Sequence, residues 1–190
     1  MRMTSKLLVA VVLTALAFTP TAASGAAQPR GSNDHTTTTR STPLTGTLEG
    51  VHTSRTPLTA PFVLDRFDMR GQATHLGRLT LVIESTVDFG VRPVTGVGTM
   101  TFVAADGDRL VAGQTGSSVL VAPGSVLITE RAVIDPGRST GRFAGAEGAF
   151  TVQRLADAAT GVGGRTVGSF AGTISLRRPS ADEARLRRPD

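Results

Sequence analysis

From residue 44 to residue 176, apolar and polar residues alternate in short segments that are separated by glycines. Successive side chains of a β-strand point to opposite faces, so an alternation with a period of two predicts strands with one buried face each. We predict strands near 44–53, 62–70, 74–89, 95–105, 109–115, 118–122, 125–134, 149–156 and 166–177, one of them a candidate for a bulged continuation of its neighbour. The sequence therefore predicts an all-β domain.

Parity along each segment predicts which side chains are buried. Leu79, Leu81 and Ile83 share one face of the third segment, whereas Arg78 and Thr80 share the other. The same count places four large apolar residues inside the domain, and we take them as candidate ligand-binding residues: Met100, Phe102, Phe150 and Phe170.

Two ionisable residues have the parity of buried neighbours. His75 matches Leu79, and Glu130 matches Ile128. A buried imidazole or carboxylate is costly without a partner, so each is either a structural pair or a site residue. The structural alternative for His75 is a bond to a backbone carbonyl. For Glu130 it is an arginine partner such as Arg154, or a bulge that turns the side chain outward. As site residues, both are candidates for ligand binding and for catalysis.

The N-terminus has the pattern of an export signal. Basic residues precede an apolar segment, Leu7–Phe18, that is too short to span a membrane, and small residues follow. We predict a signal peptide over 1–27, a flexible polar linker over 28–43, a barrel domain over 44–177 and a disordered charged tail over 178–190. The alternative is an uncleaved N-terminal anchor. We thus expect a secreted protein that has no membrane association after signal cleavage.

Missing residue types exclude several kinds of chemistry. The chain has no cysteine, tryptophan or tyrosine, and Lys6 is its only lysine. The chain therefore has no thiol for a nucleophile or for a thiolate metal site. The exported part also has no lysine amine for a Schiff base. The chain has three histidines, and this small number does not favour a metal site of several imidazoles. We expect no metal and no cofactor.

The charge balance does not favour nucleic acid as a partner. Removal of Arg2 and Lys6 from the 20 basic residues leaves 18 against 15 acidic residues. Apart from Arg177-Arg178 and Arg185-Leu186-Arg187-Arg188 in the tail, the arginines are scattered rather than clustered on one face between aromatic residues, which is the pattern that nucleic-acid binding requires. The tail also contains Asp182, Glu183 and Asp190, which favours a solvated extension over a binding patch. We therefore expect no nucleic-acid partner.

Two short motifs have both a structural and a functional interpretation. Asp106-Gly107 predicts a hairpin turn, since glycine supplies the positive φ of a tight turn, and a calcium site there lacks further oxygen ligands. The stretch from Gly137 to Gly141 matches the Gly-x-Ser-x-Gly spelling of a hydrolase nucleophile elbow. No histidine follows His75, so the catalytic order of that enzyme class is missing.

Three glycine-rich stretches together indicate a family. They are Gly71-x-Ala73-Thr74-His75-Leu76-Gly77-Arg78, Ala104-Ala105-Asp106-Gly107-Asp108, and Thr140-Gly141-Arg142-Phe143-x-Gly145-Ala146-x-Gly148. In order and spacing they resemble the secreted bacterial allene-oxide-cyclase-barrel-like proteins and, more distantly, plant allene oxide cyclases and dirigent proteins. The resemblance implies an eight-stranded antiparallel β-barrel with an apolar interior for a small hydrophobic molecule, and a homo-oligomer, since plant members are often trimers.

The chain also departs from that family. Arg138-Ser139-Thr140-Gly141 stands where relatives commonly have Gly-Gly-Thr-Gly, which changes a turn more than the barrel. The polar catalytic residues of the plant enzymes do not align with this sequence, so the resemblance does not imply cyclase activity.

Three functional hypotheses follow. The first is an exported barrel that binds a small apolar ligand without catalysis, or serves as an extracellular structural module. The second is an isomerase or cyclase in which Glu130 or protonated His75 steers a proton or a developing oxyanion. The third is self-assembly through the outer surface of the barrel.

Overall fold

The computed structural model describes residues 40–177, and over this range the chain forms eight strands and one short 3₁₀ helix, Gly141–Phe143. The strands are β1 Ser41–Pro57, β2 Phe62–Ala73, β3 Gly77–Asp88, β4 Val94–Ala104, β5 Arg109–Ala122, β6 Ser125–Ile134, β7 Glu147–Asp157 and β8 Arg165–Ser175. Each strand pairs antiparallel with the next, and β8 pairs with β1. The protein is thus a closed eight-stranded antiparallel β-barrel, which confirms the predicted fold class.

The strand bounds differ from the predicted segments; β1 and β2, for example, end at Pro57 and Ala73 rather than at 53 and 70. The segments at 109–115 and 118–122 form the single strand β5, whose pairing with β6 shifts register between Leu120 and Ala122, in agreement with the predicted bulged continuation of one segment. The first strand begins at Ser41, ahead of the predicted start at 44. The third begins at Gly77 rather than at 74, because a turn precedes it.

Parts of the predicted domain organisation lie outside the described residues. These are the signal peptide at 1–27, the linker residues at 28–39 and the charged tail at 178–190. Within 40–177, no helix combines the length and the apolar character of a membrane span.

One half of the barrel interior is filled by apolar side chains. Phe102, Phe150 and Phe170 lie with their ring centroids 5.5–5.7 Å apart. Aliphatic side chains from β1, β3, β4 and β8 pack around this aromatic cluster, and they include Leu44, Leu81, Ile83, Met100 and Ile174. Full burial of such a side chain contributes roughly 1.5–3 kcal/mol, so this half supplies much of the stability of the fold.

Loops close this filled end of the barrel. Leu76 from the β2–β3 turn and Phe143 from the β6–β7 connection are almost fully buried, and both belong to the hydrophobic core. Arg142 binds the carboxylates of Asp106 and Asp108, which fixes the connection to the β4–β5 turn. In that turn Gly107 has φ +90°, which confirms the hairpin that Asp106-Gly107 predicts.

The Gly-x-Ser-x-Gly motif has a structural role in the same region. Ser139 is buried, and its Oγ donates to the carbonyl of Asp135 at 2.8 Å. The same oxygen accepts from the backbone N–H of Val111 at 3.1 Å. Ser139 therefore anchors the β6–β7 connection to β5, and its hydroxyl is not presented as a nucleophile.

Candidate functional site: a cavity in the open half of the barrel

A cavity of about 300 Å³ occupies the half of the barrel that is opposite to the aromatic cluster. It lies at the end where the loops 58–61, 89–93, 123–124 and 158–164 join the strands. Its walls combine polar groups with apolar side chains, of which the larger are Phe67, Val87, Phe89, Val94, Val126 and Ile128. We call this space the open-end cavity.

A buried ion pair forms one side of the open-end cavity. Glu130 on β6 and Arg154 on β7 are only 2% and 3% exposed. Arg154 donates from Nε to Oε2 and from Nη2 to Oε1 of Glu130, both at 3.0 Å. This is the bidentate geometry that makes an arginine–carboxylate pair strong. It confirms that the arginine partner expected for Glu130 is Arg154.

Glycines on neighbouring strands make room for this pair. A Cβ on Gly116 would lie 2.7 Å from Cγ of Glu130, and a Cβ on Gly168 would lie 2.6 Å from Cβ of Arg154. Real Cβ atoms essentially never come so close. The charged side chains therefore fit inside the barrel only because their cross-strand neighbours have no side chain.

A second polar group surrounds Asp65 on β2. Asp65 is 3% exposed and accepts two hydrogen bonds from Arg55, from Nε and Nη2, both at 2.7 Å. These bonds raise the pKa of Arg55, because they stabilise its cation. His52 is also buried, and its Nε2 lies 3.3 Å from Oδ1 of Asp65, a distance within range but without hydrogen-bond alignment.

Phe67 connects the two polar groups. The guanidinium carbon of Arg154 lies 4.1 Å from the centroid of the Phe67 ring, which is a cation–π contact. The His52 ring stacks on the same phenylalanine with centroids 4.6 Å apart and an interplanar angle of 23°. One aromatic ring thus positions both an imidazole and a guanidinium at the open-end cavity.

Some polar atoms around the cavity have no hydrogen-bond partner among the described residues. Gln114 donates from Nε2 to Oγ of Ser85 at 2.5 Å, but its Oε1 has no donor. Nη1 of Arg154 and Nε2 of His52 likewise have no aligned partner. All three side chains are at least nine-tenths buried. Because buried polar groups are normally hydrogen-bonded, these atoms are suited to contact a ligand.

Of the six predicted site residues, the structure places only Glu130 at the open-end cavity. Four others belong to the filled half instead, where they pack as core: Met100, Phe102, Phe150 and Phe170. Parity correctly indicates that they point inward. It does not tell which half of the barrel each one occupies.

His75 lies outside the barrel, so its predicted inward position is wrong. It is exposed, has φ +64°, and its Nε2 lies 3.1 Å from the carbonyl oxygen of Pro43 and 3.2 Å from Oγ1 of Thr42. The turn at 74–76 interrupts the alternation, so the parity of β3 does not extend back to this residue. The contact with the Pro43 carbonyl agrees with the structural alternative for His75.

The cavity contains polar residues that the sequence analysis missed. His52, Asp65, Ser85 and Gln114 all have the parity of buried apolar residues in their own strands. In β1, for example, His52 follows Leu44 and Leu48 at even spacing. A search for polar residues at inward parity in every strand would have found these four residues.

Comparison with known proteins does not assign this chain to a family. No protein-family model matches it, and no curated protein matches its sequence.

Proposed function

We propose that this protein is an exported, non-catalytic barrel that binds one small ligand with a largely apolar body in its open-end cavity. The observation that carries the proposal is the cavity itself, about 300 Å³ in volume, with apolar walls and a few convergent polar side chains. Small-molecule sites typically have this size and composition. The resemblance to allene-oxide-cyclase-barrel-like proteins and the signal-like N-terminus support ligand binding and export.

The hydrogen bonds of Glu130 and the position of His75 favour ligand binding over the isomerase or cyclase alternative. Both oxygens of Glu130 accept hydrogen bonds from Arg154. A proton transfer by Glu130 would have to break this buried pair, which is costly. His75 lies on the outer turn. Neither residue is therefore placed to steer a reaction in the cavity.

Native mass spectrometry of the protein recovered from the culture medium of its own source organism tests the proposal. We expect a small molecule to be retained by the protein. The same spectrum counts subunits, and the family resemblance supports a homo-oligomer. Recovery of the protein only from inside the cells would contradict export.

A matched pair of glycine variants tests the location of the ligand. Gly96 lines the cavity, and a Cβ there meets only ordinary contacts at 3.6 Å or more. Gly113 faces outward on β5 with nothing within 4 Å of a Cβ. We expect Gly96→Leu to fill the cavity and abolish ligand retention, and Gly113→Leu to retain the ligand. Retention by both variants would place the ligand elsewhere.

A further inference from the structure

We infer that the ligand of the open-end cavity is uncharged and carries a hydroxyl group on its apolar body. This inference rests on the proposed ligand-binding function and specifies the chemical class of the ligand.

The charges at the cavity already cancel in pairs. Arg154 is matched by Glu130, and Asp65 is matched by Arg55. Asp157 lies at the exposed rim, where it accepts hydrogen bonds from Thr160 and Ala159. The imidazole of His52 also faces Asp65, with Nε2 3.3 Å from Oδ1. A charged ligand group in the interior would therefore have no free counter-charge among the arginines and carboxylates that line the cavity. Burial of an unbalanced charge is strongly unfavourable, so the cavity selects against both anions and cations.

The unpartnered atoms indicate which neutral group fits. Oε1 of Gln114 is an acceptor without a donor, and Nη1 of Arg154 is a donor without an acceptor. A hydroxyl group can donate to Oε1 of Gln114 or accept from Nη1 of Arg154, whereas an ether can only accept and a hydrocarbon can do neither. These atoms are shielded from solvent, so contact with a ligand requires a small side-chain rotation, which is common on binding.

Four naphthalene probes of nearly equal shape separate the alternatives: 2-naphthylmethanol, 2-methylnaphthalene, 2-naphthoate and 2-naphthylmethylammonium. The chain has no tryptophan or tyrosine, so protein emission does not overlap with the fluorescence of the probes. We expect the alcohol to bind about three- to tenfold more tightly than 2-methylnaphthalene, which is the net effect of a neutral hydrogen bond. We expect both ions to bind more weakly than the alcohol.

Substitutions of the ion pair should change this order in a defined way. Glu130→Gln leaves Arg154 without its counter-charge, so 2-naphthoate should become the tightest of the four probes. In Glu130→Met/Arg154→Met the interior stays neutral and lacks the guanidinium, so the alcohol should lose its advantage while 2-methylnaphthalene still binds. Gln114→Met should reduce the same advantage without any change of charge. The last two variants keep the test informative if Glu130→Gln does not fold.

The outcomes distinguish this inference from the proposed function. Wild-type protein that binds 2-naphthoate as tightly as the alcohol, or binds the alcohol no better than 2-methylnaphthalene, would overturn the inference. If Gly96→Leu still abolishes binding of these probes, the proposed function would stand. Failure of all four probes to bind wild-type protein would contradict both.

Discussion

Glu130 and Arg154 form the most buried of the ion pairs among the described residues. Such a pair costs desolvation free energy on both sides and recovers it through a bidentate geometry. The net contribution of the intact pair to stability is therefore small, although the loss of one partner alone is strongly destabilising. Removal of one partner leaves a buried charge without its counter-charge, whereas removal of both leaves no unbalanced charge.

Stability measurements on this pair should show strong non-additivity. We expect Arg154→Met to lower the free energy of unfolding by about 3–5 kcal/mol, because Glu130 is then buried without a counter-charge. Glu130→Met/Arg154→Met should be close to wild type or more stable. Urea denaturation followed by far-UV circular dichroism measures both. An equal loss in the single and the double variant would contradict this explanation.

Parity along the strands predicts individual inward-facing residues well and their environment poorly. It identified Glu130 and the large apolar residues Met100 and Phe102 as buried. It cannot show that the phenylalanines fill one half of the barrel, because this depends on how far along the axis the strands are staggered. His75 was misplaced for a related reason, since a turn resets the alternation.

The loop between β7 and β8 borders the open-end cavity and is tied to β1. The backbone N–H of His52 donates to the carbonyl of Gly164 at 2.9 Å, and the N–H of Gly163 donates to the carbonyl of His52 at 2.7 Å. At the start of the loop, Asp157 accepts from the hydroxyl of Thr160 and from the N–H groups of Thr160 and Ala159. The loop therefore has an anchor at each end, and one of them is titratable.

Acid should loosen the Asp157 anchor. The hydroxyl and N–H of Thr160, together with the N–H of Ala159, lower the pKa of Asp157 below its ordinary value of 3.8. The stabilisation is therefore present above about pH 3.8, the value expected for the unfolded chain, and is lost as pH falls through the lowered pKa. NMR titration of the Ala159 and Thr160 amide shifts should show a midpoint below pH 3.8.

The control for this titration is Asp157→Asn. It retains an oxygen that can accept from the loop but has no carboxyl to titrate, so the shifts of both amides should become independent of pH. A wild-type midpoint at or above 3.8 would contradict the anchoring role of Asp157.

The number of strands was harder to predict than which residues form strands. The two segments at 109–115 and 118–122 look separate because Gly116 and two serines weaken the apolar pattern. They form one strand because both pair with β6 without interruption from Ala112 to Leu120. Gly116 lies opposite Glu130, where the cavity requires a small residue. The apparent break in the sequence is therefore a feature of the site, and only the three-dimensional arrangement reveals it.

The filled half of the barrel supplies much of the stability, and we propose that the open half binds the ligand. We expect Phe102→Ala, which removes a fully buried ring, to lower the free energy of unfolding by about 3–5 kcal/mol. Phe89→Ala removes a ring that is 39% exposed at the cavity, so its cost should be under about 1 kcal/mol. Urea denaturation compares the two variants, and similar losses would contradict this division.

The seam between β1 and β8 places Ser41 opposite Ser175, near the two ends of the described chain. Earlier hairpins can form in order along the chain, but the ring cannot close until β8 has paired with β1. Until that pairing the sheet has two exposed edges, which can pair with another copy and start aggregation. The pairing of β8 with β1 is therefore the folding step that removes both edges.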